Sequence, residues 1–354
     1  MRRKYNRSRR LFYMLLITFT IVSCKKQELK CKTFGNAKNL EWSSLDCEDS
    51  PDFDETGNVN YLEVGNQYKF PVFNPNNSNE IIYYEEIRDS IGIITNQQLI
   101  KYNIVEDSKT VLKSHIDLSV PPVWNKNGLI AFRSGTTGYI TLINDDGSNQ
   151  IQFSDYPTGP YNGDIFWLNN SNTLVWRYGD PYGIDYIKRK KTTEDSVKVI
   201  FQGKASHFSI SKDSLLIISK DDGFETLDLN KDSLYTEPFN TPLSGNISDI
   251  TGDFSTSLTW SANGNSFYVF MFSQTHGTGL FNVNLNTGNP SKLVKCCNNR
   301  LIKHTDCSAE GDKLIIQLFE KFNLESESIT NNIGMKSTIW LLDLNTLKAA
   351  KLPL

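Results

Sequence analysis

The sequence predicts an all-β fold, a six-bladed β-propeller of four-stranded antiparallel blades. Three observations carry that expectation. An ordered unit of an aromatic residue, a polar turn and an apolar strand recurs six times. Its anchors are Phe73, Trp124, Trp167, Phe208, Trp260 and Cys307, spaced 51, 43, 41, 52 and 47 residues apart, about the length of one four-stranded blade. Within each unit, short apolar runs of period 2 are bounded by Asn, Asp and Gly, which is the pattern of strands joined by tight turns rather than of helices.

The elements before the repeats read as an address. Residues 1–10 are basic and residues 11–22 form an apolar run (LFYMLLITFTIV). That run falls short of the ~20 residues of a spanning helix, so residues 1–23 are expected to be a secretory signal peptide. Its end, Ile21-Val22-Ser23-Cys24, resembles the bacterial lipobox. The resemblance implies cleavage after Ser23, a diacylglycerol thioether on Cys24, and acylation of the new N-terminus. Several acyl chains anchor stably where one is marginal. The pair in Ser8-Arg9-Arg10-Leu11-Phe12 is what a ten-residue stretch with five arginines yields by chance.

Residues 24–65 do not match the repeat. They are polar, with an acidic cluster at Asp46, Glu48, Asp49, Asp52, Asp54 and Glu55, and are expected to form a tether between lipid and propeller. The cluster lacks the D-x-D-x-D-G spacing of a calcium loop. Residues 58–64 carry the alternative of an added strand.

Residues 66–354 hold the repeats. The clearest copy runs Trp124-Asn125-Lys126-Asn127-Gly128 into the strand LIAFR; a second runs Trp260-Ser261-Ala262-Asn263-Gly264 into SFYVF. Both are similar to the W-S-P-D-G turn of TolB-type (PD40, WD40-like) propeller repeats. The resemblance implies six blades over this span, with each aromatic anchor wedged between neighbours. No copy is a full W-S-P-D-G, and one anchor is Cys307.

Charge narrows the partners. Residues 1–23 hold six of the 37 basic residues and none of the 40 acidic ones, so the remainder carries 31 against 40, a net charge of −9. With no Lys/Arg stripe to offset it, such a chain is not expected to bind nucleic acid. With Cys24 assigned to lipid, Cys31, Cys47, Cys296, Cys297 and Cys307 remain, an odd number suited to an exported compartment. Cys31 with Cys47, and Cys307 with Cys296 or Cys297, are the candidate disulfides. No C-x-x-C spacing supports zinc.

Chemistry is sparse. Asp145-Asp146-Gly147 and Asp221-Asp222-Gly223 read as hairpin turns rather than calcium loops. No G-x-S-x-G, H-E-x-x-H or glycine-rich phosphate loop occurs. His207, His304 and Asp306 lie near the starts of inner strands and form a candidate channel site. The two histidines stand at different offsets from the anchors Phe208 and Cys307, which argues against convergence. The expectation is a non-catalytic module, lipid-anchored through Cys24 to the outer membrane of a cell envelope, that binds an envelope protein or glycan without a cofactor. The alternative is a carbohydrate-active lyase or hydrolase using the channel His and Asp residues.

Overall fold

The computed structural model describes residues 40–46, 60–89, 92–116, 120–134, 138–154, 164–168, 172–180, 182–203, 207–211, 215–220, 223–229, 258–273, 277–284, 287, 290–296, 300–323 and 332–354. The expected signal peptide, Cys24, Cys31, Cys47, Cys297 and the Asp221-Asp222 pair lie outside them. No helix among the described residues is long and apolar enough to cross a membrane.

Two short strands come first, β1 (Ser43–Ser44) and β2 (Asn60–Glu63). Six sheets follow in chain order. The first holds β3 (Gln67–Asn74), β4 (Asn77–Arg88), β5 (Ile94–Asn103) and β6 (Ser108–Ser114). The second holds β7 (Val123–Trp124), β8 (Leu129–Arg133), β9 (Ile140–Asn144) and β10 (Ile151–Gln152). The third holds β11 (Ile165–Leu168), β12 (Thr173–Gly179), β13 (Asp185–Lys191) and β14 (Lys198–Gly203). The fourth holds β15 (His207–Ile210), β16 (Leu215–Lys220) and β17 (Gly223–Asp228). The fifth holds β18 (Thr259–Trp260), β19 (Ser266–Ser273), β20 (Gly277–Asn284) and β21 (Pro290–Lys295). The sixth holds β22 (Arg300–Cys307), β23 (Lys313–Asn323), β24 (Asn332–Asp343) and β25 (Lys348–Lys351), with β1 and β2 added.

Five sheets therefore carry four or more strands. The expectation of six complete four-stranded blades is corrected at the fourth, which has three strands among the described residues. Residues 230–257, between β17 and β18, lie outside the description.

The sheets stack through their faces. Along β4, Ile81 and Tyr83 enter the core shared with the sixth sheet, while Ile82 and Tyr84 enter the core shared with the second. A strand buried on both faces reads as a continuous apolar run, which explains IIYY. Further cores join the second sheet to the third, the third to the fourth, and the fifth to the sixth. The first strands β3, β7, β11, β15, β18 and β22 touch in that order, and β22 touches β3.

The N-terminal segment takes part in this closure. β24 is twelve residues long, and β25 covers only Trp340, Leu341 and Leu342 of its outer edge. The parallel strand β2 pairs with Asn332, Ile333, Gly334 and Met335, and β1 pairs with β25. Unpaired edge groups seek partners, so part of the expected tether at 24–65 is sheet instead. The alternative strand expected at 58–64 corresponds to β2.

Charge then clasps β2 to the first sheet. Lys69 Nζ lies 3.4 Å from both Glu63 and Glu86, and Arg88 Nη2 contacts both carboxylates. The Glu86 side chain is 4% exposed. Burial alone would raise its carboxyl pKa, but Lys69 and Arg88 hold it below the ordinary value.

Candidate functional site

A funnel of about 670 Å³ opens along the ring axis, and the first strand of every sheet contributes to its wall. The hairpin that ends each first strand sets the register. In the second, fifth and sixth sheets the turn closes with Gly128, Gly264 or Gly311 at φ 77, 73 and 75, a left-handed conformation that glycine adopts without steric cost. Each glycine N–H donates back to the carbonyl of the residue that closes the strand, Asn125, Ser261 or Ser308, one place past its end. One place before that closing residue stand Phe73, Trp124, Trp167, Ile210, Trp260 and Cys307 across the six sheets.

The fourth anchor is thus Ile210 rather than the expected Phe208. Phe208 sits two residues earlier, on the same face of a period-2 strand, and is buried in the core between the third and fourth sheets. The other expected anchors hold their place; Trp124 and Trp260 are 6% and 7% exposed.

One residue further back lies a layer of Val72, Val123, Phe166, Ser209, Thr259 and Asp306, all of which line the funnel. Asp306 is the ionisable member of this layer. Its Oδ2 accepts a hydrogen bond from the Phe73 N–H at 2.8 Å, tying the sixth sheet to the first. Asp164 does the same between the third and fourth sheets, accepting from the Phe208 N–H at 3.0 Å. Elsewhere Trp167 Nε1 donates to the Val123 carbonyl at 3.2 Å, and Thr305 Oγ1 donates to Thr259 Oγ1 at 3.0 Å.

Burial pushes the Asp306 carboxyl up to about 7; backbone N–H groups of Phe73 and Cys307 oppose that rise. His304, two residues earlier, is 7% exposed and also borders the funnel. Burial pushes its imidazole down to about 4, against the opposing pull of the Asp164 carboxylate and the Pro71 carbonyl. Among the described residues neither ring nitrogen has a hydrogen-bond partner at normal geometry. The ring meets Phe70 edge-on at 5.6 Å. Phe70 holds φ 54, costly for a residue with a Cβ, where β3 bulges; its N–H donates to Gln317 Oε1 at 3.0 Å.

Of the expected channel site, then, His304 and Asp306 both border the funnel. The backbone of His207 stands three residues before Ile210, as His304 stands three before Cys307. This corrects the expected mismatch of offsets, which came from taking Phe208 as the anchor. The side chain of His207 lies outside the described residues. Asp164, at the same offset before Trp167, was not singled out from sequence, although that shared offset was the signal for it. Among the described residues, no group of three His, Cys, Asp or Glu side chains is placed to hold an ion.

Among the described residues Cys296 and Cys307 are free thiols, and Cys297, the other candidate partner of Cys307, lies outside them. Cys296 and Cys307 belong to the apolar core between the fifth and sixth sheets, and burial pushes each thiol up to about 12. At Asp145-Asp146-Gly147 the turn closes through Gly147 N–H to Asn144 O at 2.9 Å, and Asp146 Oδ1 accepts from Ser148 N–H at 2.8 Å.

No protein-family model matches the chain, and no curated protein is significantly similar to it. Among solved structures it is similar to TolB from Acinetobacter baumannii, at 14% identity and a TM-score of 0.45 over 72% of this chain and 65% of that one. A nidogen/laminin complex is similar at 10% identity and a TM-score of 0.45 over 64% of this chain and 78% of that one. An oligogalacturonate lyase in complex with manganese is similar at 12% identity and a TM-score of 0.34 over 83% of this chain and 68% of that one. At these scores the architecture rests on the strand pairing alone.

Proposed function

We propose that this protein is a lipid-anchored, non-catalytic propeller of the cell envelope that binds an envelope protein or glycan ligand at its funnel. One observation carries the non-catalytic reading. The two carboxylates of the funnel wall, Asp164 and Asp306, each accept the backbone N–H of the next sheet and so serve as seams of the ring. That structural use accounts for both carboxylates without a catalytic role. The funnel itself is concave, and its wall mixes apolar side chains with polar ones such as Ser209, Thr259 and Asp306, which suits a ligand with polar groups.

The lipidation motif at Cys24 supports the anchor and the outer-membrane location. Cys24→Ala is expected to leave an unprocessed or soluble exported form. Normal leader cleavage with unchanged membrane fractionation would overturn the anchor. Pull-down from envelope extracts with the anchored protein then identifies the partner, and a blocked funnel should abolish capture.

The shared offset of His207 and His304 favours a second reading, a carbohydrate-active lyase or hydrolase acting through those residues and Asp306. Turnover of a polyuronate by the purified protein, lost in the triple alanine variant, would establish it over the binding module.

A further inference from the structure

The layer below the anchors contains three apolar residues, two hydroxyls and one carboxyl. Asp306 is partly exposed to the funnel, with Thr259 and Val72 in the same layer on the sheets to either side. Two backbone N–H groups use two of the roughly four acceptor sites of an ionised carboxylate, so acceptor capacity remains. Thr259, its neighbour in the layer, is engaged with Thr305. The other ionisable groups that line the funnel are few. His304 lies on the same strand and is held neutral by burial. Asp164 precedes β11, and Lys126 is exposed at the rim. Cys307, the next residue, is a neutral buried thiol. The first, fourth and fifth sheets bring no described ionisable side chain to the wall. Of the three tryptophans at the funnel wall, Trp124 and Trp260 are largely buried between sheets, while Trp167 is half-buried. Aromatic faces attract cations and pack against aliphatic stems.

We propose that the funnel receives an ammonium or guanidinium group on an aliphatic stem, with the cation paired to Asp306 and the stem lying against the apolar members of the same layer, Val72, Val123 and Phe166. This rests on the funnel being a ligand site, and it names the ligand class of that site. A cation brought next to a buried carboxyl favours its charged form, so binding expels the Asp306 proton. A desolvated charge-assisted hydrogen bond is also stronger than a neutral one, which gives the preference over an uncharged stem.

Calorimetric titration tests this with three probes: a capped glycyl-lysyl-glycine peptide, the same peptide with norleucine for lysine, and free cadaverine. The lysine peptide is expected to bind at least about tenfold more tightly than the norleucine peptide. Repeating the titration at about pH 6 in buffers of different ionisation enthalpy should show close to one proton released per site. Asp306→Asn keeps an acceptor for the Phe73 N–H. It should remove both the preference and the proton release while leaving norleucine binding unchanged. Cadaverine binding as tightly as the lysine peptide supports the proposal and assigns the site to free amines; weaker binding assigns it to a peptide side chain. Equal affinity of the lysine and norleucine peptides, with tryptophan quenching by both, overturns the cation while leaving the funnel as a ligand site. Binding by none of the probes overturns the proposal, and capture of a partner that survives a blocked funnel overturns the funnel reading separately.

Discussion

His304 and Asp306 stand two residues apart on β22 and titrate in opposite directions. Asp306 has its pKa raised in the fold, so its contribution to stability is full below the unfolded carboxyl value. It is lost as pH rises through about 7. His304 has its pKa lowered, so its contribution is full above the unfolded imidazole value of 6.5 and is lost as pH falls toward about 4. Between those limits the two slopes oppose each other, each close to about 1.4 kcal/mol per pH unit where a single proton is at stake. Chemical denaturation from about pH 4 to 6.5 should therefore show little net slope from this pair. Asp306→Asn should expose a loss of stability on acidification, and His304→Gln a gain. Parallel pH profiles for the two variants would contradict the opposed shifts. Neither residue's role was legible in the sequence beyond a place near the axis, because burial, and not residue type, decides both.

At the scale of the element, the hairpins were readable and the edges were not. Gly128 and Gly264 appear in the sequence as glycines after W-x-x-x, and the left-handed turn explains why that residue stands there. Phe208 was mistaken for an anchor because Phe208 and Ile210 share a face, so period-2 reasoning cannot separate them. What separates them is the register, in which Ile210 pairs with Leu216 nearest the end of the strand and Phe208 with Ile218. β2 was hard to see for a different reason: its four residues carry a weak pattern, and their pairing partner lies some 270 positions away. The register between Asn60 and Asn332 fixes that strand, and local sequence does not. The clasp of Glu63, Lys69, Glu86 and Arg88 then decides how firmly it holds. Arg88→Ala should cost about 3 kcal/mol, since it leaves Glu86 buried with Lys69 as the remaining cation. Because Glu86 has a lowered pKa, this stabilisation is present above the unfolded carboxyl value and lost as pH falls through the folded one. Urea denaturation at neutral pH and at about pH 3 checks both points; an equal effect at the two would count against the clasp.

At the scale of the whole molecule, six repeats in order were enough to foresee sheets stacked around an axis, since each repeat buries its faces only against neighbours. Composition could not show how the ring closes. Closure is made by the core between the sixth and first sheets, by β1 and β2 on the sixth, and by the Asp306 seam. The funnel exists because that closure brings the six first strands to one wall, so its chemistry depends on the ring being complete. Hydrogen exchange at the Phe73 amide reads this most directly. In the closed ring that N–H is donated to Asp306 across the seam and should exchange slowly, and Asp306→Ala should accelerate it strongly while leaving amides within β4 protected. A Phe73 amide that exchanges as fast as an exposed one, or that is indifferent to Asp306→Ala, would contradict a ring closed between its last and first sheets.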